Sequence, residues 1–284
     1  MSSLKSPETQ GSTDPTPLPE SPRVVYRRNP LMEVICQLRF PPILRIEAEP
    51  PASFQERIRL EYPLLQDKTP ETGIELPPDI PPVVAEMLRT AMSKRKLRIG
   101  YDFISADEKW KVALTTDFIA LTTARYGRWE EFRPHIDPPL KALIEVYAPA
   151  FFTRIGLRYR DLIRRSQLGL SNSAWSSLLR PHISGVLASP ELAGAEVETF
   201  NQVLIKFPHN RGQVQIRHGL VQAVDNNEEC YLIDSDFYTD KRTGINDVDD
   251  ILSYFNRQSG RLFRWCIEER LHQAMEPDTV EAPT

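Results

Sequence analysis

"NPLMEVICQLRF", residues 29–40, decides how this chain is read. From residue 31 its side chains alternate, with Val34, Cys36, Leu38 and Phe40 on one side and Glu33, Ile35, Gln37 and Arg39 on the other, which is the period of a half-buried strand. "APAFFTRIGLRY", residues 148–159, closes in the same way on Leu-Arg-aromatic. An offset of 119 carries Pro30, Leu38, Arg39 and Phe40 onto Pro149, Leu157, Arg158 and Tyr159. The same offset carries Arg98 and Gly100 onto Arg217 and Gly219, Asp117-Phe118 onto Asp236-Phe237, and an amphipathic stretch at 129–147 onto 248–266. One spacing that serves several separate places predicts two related halves.

A chain of 284 residues with 40% apolar side chains can bury a large core or two ordinary ones. Residues 1–24 hold five prolines and only three Leu or Val, too little apolar surface to offset the entropy of ordering them, so they are expected to be a disordered tail. Residues 276–284 are expected to be a second one. Between them lie an N-terminal half at 25–148 and a C-terminal half at 149–275. The start lacks the charged and apolar runs of a secretory signal, and no stretch approaches the ~18 apolar residues of a membrane span, so the expectation is a cytoplasmic protein without a membrane partner. Cys36, Cys230 and Cys266 are odd in number, far apart and set in apolar patterns, which suits reduced core thiols. Residues 25–148 carry 18 basic and 18 acidic side chains and residues 149–275 carry 15 of each, so the net charge of −4 lies in the tails. Neither half makes the positive field that non-specific nucleic-acid binding needs.

The first half reads as the strand at 31–40, a short helix in "PPASFQERIRLEYPLL", a Pro-rich connection over 66–82, a helical "VVAEMLRTAM", and strands at 97–105, 109–116 and 118–125. A helix over 129–147 closes it. The second half reads as a strand at 151–163, a short helix near 172–180 capped by Ser171 or Asn172, and strands at 196–208, 211–223 and 230–239. Asn210-Arg211-Gly212 and Asp225-Asn226-Asn227 suit the hairpin turns between them. A helix from 247 to 274 closes this half, with Asp247, Asp249 and Asp250 in its first turn where negative charge suits the dipole. The predicted class is α+β, each half an antiparallel sheet with a long closing helix. That order resembles a helix-grip or TBP-like arrangement, an analogy that assigns no function.

"NPLMEVICQLRF", "RIGLRYRDLI", "YLIDSDFYTD" and the C-terminal helix together resemble a sporadically distributed bacterial family of uncharacterised proteins, over residues 26–275. Its most specific element is Gly-Leu-Arg-Tyr at 156–159, which in that family is usually followed by Asn; here Arg160-Asp161 follows. The resemblance implies no reaction, cofactor or catalytic residue. Its patchy distribution implies a mobile or defence-related gene context.

Arg154, Gly156, Arg158 and Arg160 share one face of the strand at 151–163. Three guanidinium groups spaced two residues apart could bind an anion or phosphate bidentately, with Gly156 admitting the ligand closely. The plainer reading pairs them with carboxylates of a neighbouring strand, and "YLIDSDFYTD" supplies Asp234, Asp236, Tyr238 and Asp240 on one face. The first expected couple is Arg158 with Asp236, and the equivalent in the first half is Arg39 with Asp117. Asp234 and Asp236 are weak candidates for a divalent cation, lacking a defined third oxygen ligand. His135, His182, His209, His218 and His272 have no metal-ligand spacing, and no G-x-S-x-G or glycine-rich phosphate loop occurs. The basic residues Arg27, Arg28, "KRKLR" at 94–98 and Arg164-Arg165 read as solvated strand ends.

The leading expectation is therefore a non-enzymatic binding or adaptor protein, without a cofactor, that offers a groove or a sheet edge to a protein partner and can self-associate. The second is a sensor of a phosphorylated ligand or nucleic acid through Arg154, Arg158 and Arg160. The third is a metal-dependent hydrolase centred on Asp234 and Asp236.

Overall fold

The alternation of residues 31–40 is realised as a strand in the middle of a sheet. The computed structural model describes residues 16–68, 100–192 and 194–279. In chain order the elements are strands β1 (Val24–Tyr26) and β2 (Leu31–Arg39), helices α1 (Arg45–Ala48) and α2 (Ala52–Ile58), and strands β3 (Leu64–Lys68), β4 (Gly100–Ile104), β5 (Trp110–Leu114) and β6 (Phe118–Thr123). Helices α3 (Trp129–Phe132) and α4 (Asp137–Tyr147), strand β7 (Arg154–Ile163), helix α5 (Pro181–Ser184) and strands β8 (Phe200–Lys206), β9 (Gln213–Gln222) and β10 (Glu229–Thr239) follow. Helices α6 (Val248–Cys266) and α7 (Glu269–Ala274) and strand β11 (Pro277–Thr279) end the described chain. The helix expected in "VVAEMLRTAM" and the basic run at 94–98 lie outside the described residues.

Nine strands form one antiparallel sheet in the order β3-β4-β5-β6-β2-β7-β10-β9-β8. The fold is α+β, as the patterning predicts. In each half the first strand pairs with the last, and the intervening strands run outward in reverse order. The halves meet strand to strand at β2 and β7, where Cys36 faces Leu157 and Arg39 faces Arg154. The likeness between halves is one of order and not of register. Arg39 stands opposite Phe118, whereas Arg158 stands opposite Asp236, so the pairings differ by one residue from the 119-residue offset.

The helices pack on one face of the sheet. Phe54 of α2 meets Phe103 of β4 at 5.3 Å between rings, Phe132 of α3 meets Trp110 at 5.7 Å, and Phe255 of α6 meets Phe237 of β10 at 6.3 Å. Val34, Cys36 and Leu38 of β2 and Ile155, Leu157 and Tyr159 of β7 are buried in this layer, as their alternation requires. Val248, Leu252, Phe255, Leu262 and Cys266 line the inward stripe of α6.

Three expected helices come out shorter. Residues 129–147 divide into α3, a 3-10 turn at Arg133–His135 and α4, because Pro134, Pro138 and Pro139 supply no backbone donors to a continuous ladder. The helix expected at 172–180 is a 3-10 turn at Trp175–Ser177 followed by α5. Trp175 anchors the turn through Nε1 on Glu229 at 2.8 Å and a stacked Arg165 at 4.4 Å. The helix expected at 247–274 breaks at Ile267, which bridges to Leu179 instead, and resumes as α7.

The expected disordered tails are corrected where they are described. Leu18 is buried, Thr16 Oγ1 hydrogen-bonds Gln258 on α6, and Arg23 holds Glu130 on α3 at 2.6 Å. β1 pairs with β11, so segments near the two ends of the described chain clasp each other. Composition underestimated these segments because a few anchoring contacts to the folded body offset their ordering cost.

Candidate functional site

The face opposite the helices carries the polar half of every alternation, and there the sequence-predicted arginines and aspartates assemble. Arg154 grips both carboxylate oxygens of Asp236 through Nη2, at 2.9 and 2.8 Å. It also reaches Gln37 Oε1 at 3.3 Å and lies over the Tyr238 ring at 4.7 Å. Arg158 binds Asp234 through Nε at 2.6 Å and through Nη2. Arg160 binds Glu33 at 2.9 Å. Arg39 binds Asp117 at 2.8 Å.

The expected couple of Arg158 with Asp236 is displaced by two residues. The two are directly opposite in register, yet Arg158 takes the diagonal Asp234. Asp236 is claimed by Arg154, whose guanidinium crosses the strand over Gly156. A Cβ at residue 156 would lie 2.3 Å from Arg154 Nη1. Gly156 therefore makes room for an internal ion pair where the sequence suggested room for a ligand. Asp117 sits in the turn before β6, not within a strand like Asp236, so the two couples are not structurally equivalent.

Burial raises the Asp236 carboxyl above the usual range, with Arg154 pulling in the other direction. The hydrogen bond to Asp234 raises Arg158. These groups are paired charges in partial burial, where desolvation offsets much of the attraction, so the lattice fixes register more than it adds stability. Arg39, Asp117, Thr153, Arg154 and Asp240 also line a cleft of about 320 Å³ at the end of the β2–β7 seam. Its two arginines face two acids.

The alternative chemistries find little here. Each of Arg154, Arg158 and Arg160 already holds a carboxylate, so a phosphate must displace an internal partner to bind. Asp234 and Asp236 present both oxygens to guanidinium groups, and among the described residues no three His, Cys, Asp or Glu side chains gather as a metal site. His135 stacks on Trp110 and His182 on Trp265, each at 3.9 Å, while His218 and His272 bond Tyr231 and Tyr26 at 2.8 Å. The three cysteines are free and buried, and burial pushes the Cys36 thiol up to about 12, leaving it protonated at neutral pH. Arg27, Arg28, Arg164 and Arg165 are paired with Asp278, Glu276, Asp225 and Glu229.

What sequence reasoning did not single out is the edge formed by β8, at the opposite end of the sheet from β3. β8 reads F-N-Q-V-L-I-K and is the last strand of the sheet beside β9. Phe200 is 60% exposed, Leu204 48% and Val203 43%, so apolar side chains on both faces of this strand meet solvent. The bonds that bracket the β8–β9 pairing run from Leu220 N to Thr199 O at 3.0 Å and from Phe207 N to Gly212 O at 2.9 Å. With the register Phe200↔Gly219 to Lys206↔Gln213, the odd residues bond β9 and the even ones direct N–H and C=O away from the sheet. Phe200, Gln202, Leu204 and Lys206 thus form an open ladder. Gly219 lets the strand start that close, since a Cβ there would lie 2.1 Å from Thr199 O. Next to the edge, Arg217 donates to the side-chain carbonyls of Gln202 at 3.2 Å and Gln215 at 2.8 Å.

No protein-family model matches the chain, and no curated protein is similar to it. Among the described residues no helix is long and apolar enough to cross a membrane.

Proposed function

We propose that the protein is a non-enzymatic binding or adaptor module whose docking element is the free edge of β8. The observation that carries this reading is an exposed seven-residue strand with Phe200, Val203 and Leu204 in solvent and four backbone positions facing outward. Natural sheets blunt such edges with proline, bulges or inward charges, and β8 has only Lys206 at one end. An extended segment added to the edge gains main-chain hydrogen bonds from the even residues and apolar contacts from Phe200 and Leu204. The neutral balance of each half and the pairing of the polar-face arginines weigh against a phosphate or nucleic-acid ligand. The resemblance to a patchily distributed bacterial family suits an adaptor in a mobile or defence-related setting, in the cytoplasm.

Proline at an outward position separates docking from folding. The Leu204 N–H makes no bond to β9, so Leu204→Pro removes a donor from the edge and leaves the internal ladder intact. A pull-down with the wild-type chain from the native host is expected to recover a partner that Leu204→Pro loses and that Lys141→Ala, exposed on α4, keeps. Equal recovery by Leu204→Pro refutes the reading.

A further inference from the structure

We infer that the occupant of the β8 edge is β8 of a second copy of this chain, paired antiparallel about Gln202; this rests on the edge being the docking element. The argument is self-complementarity. A two-fold axis through Gln202 sets Gln202 against Gln202, Phe200 against Leu204 and Glu198 against Lys206, and the latter two pairs each occur twice by symmetry. The even side chains of residues 200–206 alternate onto the polar face of the sheet and exposed Glu198 leads into the strand, so the sequence E-F-Q-L-K in one direction meets K-L-Q-F-E in the other. Along this strip the acid then meets the base, and Phe200 and Leu204 meet each other. On the opposite face Asn201 meets Val203 and Thr199 meets Ile205, which brings exposed Val203 into contact.

The backbone permits this register. Residues 200, 202, 204 and 206 point outward, so the Gln202 pair and both Phe200–Leu204 pairs can exchange main-chain hydrogen bonds. Neighbouring registers are poorer. Centring on Val203 sets Phe200 against Lys206 and Gln202 against Leu204, and centring on Leu204 sets Phe200 against Pro208 and leaves Glu198 without its base. Gln202 is also held in place, because its Oε1 accepts from Arg217 of the adjacent strand at 3.2 Å. The association joins two nine-stranded sheets edge to edge and removes the open ladder from solvent.

Sedimentation of the full chain at micromolar and higher concentrations, with variants, tests the inference. The wild type is expected to sediment as a dimer, Leu204→Pro as a monomer, and Lys206→Glu to dissociate at least ~10-fold more readily, since like charges then face each other twice. Combining Glu198→Lys with Lys206→Glu is expected to restore the wild-type affinity. Mild oxidation of Gln202→Cys is expected to cross-link the pair across the axis, whereas Val203→Cys, offset from its own copy, gives little. The three native cysteines are buried and do not compete. A monomeric wild type, a dimer that Leu204→Pro leaves intact, or a Val203→Cys cross-link stronger than that of Gln202→Cys overturns the inference. If the wild type is monomeric and Leu204→Pro still abolishes capture of another protein, the docking edge stands and only its occupant is wrong.

Discussion

Asp161 is an acid on the wrong side of its strand. It follows Tyr159 on the helix-facing side of β7 and is only 5% exposed. Burial raises its carboxyl from 3.8 to about 8, with the Asp234 carboxylate adding to the rise. The folded protein therefore holds a proton that the unfolded chain has lost between those two values. The associated stability is fully present below about pH 4 and is lost as pH rises through 8, with a slope of at most ~1.4 kcal/mol per pH unit for one proton. Asp161→Asn removes this dependence, so urea denaturation at pH 5 and pH 8 is expected to show the variant gaining on the wild type at the higher pH. Equal losses in both proteins exclude Asp161 as the source. At this scale the sequence revealed faces better than partners. Alternation placed Arg154, Arg158, Arg160, Asp234 and Asp236 on one surface because it is a property of the backbone. It could not show that Arg154 reaches across Gly156 to Asp236, since that depends on a long side chain's path across neighbouring strands. The same alternation sets Asp161 between Tyr159 and Ile163 on the buried side, but it cannot show that no base among the described residues accompanies the carboxyl there.

The edge strand β8 depends on a glycine in its neighbour. Gly219 on β9 faces Phe200, and a Cβ there would lie 2.1 Å from Thr199 O and 2.8 Å from Phe200 Cα. Both are backbone atoms, so the strain cannot be relieved by turning a side chain, and β8 must move off. Gly219→Ala is expected to cost about 1–3 kcal/mol and to speed hydrogen exchange in residues 200–206 more than in β7. Uniform protection across the sheet contradicts this. The long strands were legible from period and turn residues, whereas β3 falls where a helix end and a Pro-rich connection were expected, and the short β1 and β11 were not expected. β8, β9 and β10 lie within the expected 196–208, 211–223 and within a residue of 230–239. Edge position was not legible, because it belongs to the order of strands and leaves no periodic trace. The expected helices that shortened did so at prolines or at a tertiary anchor, Trp175 or Ile267, which local propensity does not weigh.

Two halves of similar strand order need not be two domains. The β2–β7 seam joins them through main-chain pairing from Leu31 to Arg39, and buried residues from both sides form one continuous core. The helix layer is joined as well, since Arg133 Nε bonds Asp249 of α6 at 2.7 Å, and the segment from Thr16 to Arg23 touches both α6 and α3. The halves are joined at the seam by only residues 148–153, of which Pro149 and Phe152 are buried, so opening one half strips the other of its central strand partner. Melting is therefore expected to be a single cooperative transition, with calorimetric and van't Hoff enthalpies in agreement despite the length of the chain. Leu157, fully buried on β7 at the seam, gives the sharper test. Leu157→Ala leaves a cavity that costs about 3 kcal/mol and is expected to lower the midpoint without splitting it. Tryptophan fluorescence follows both sides together, because Trp110 and Trp129 report the first half and Trp175 and Trp265 the second. If the variant melts in two steps, or circular dichroism and fluorescence part company, the halves are separable units and the seam is an interface between domains.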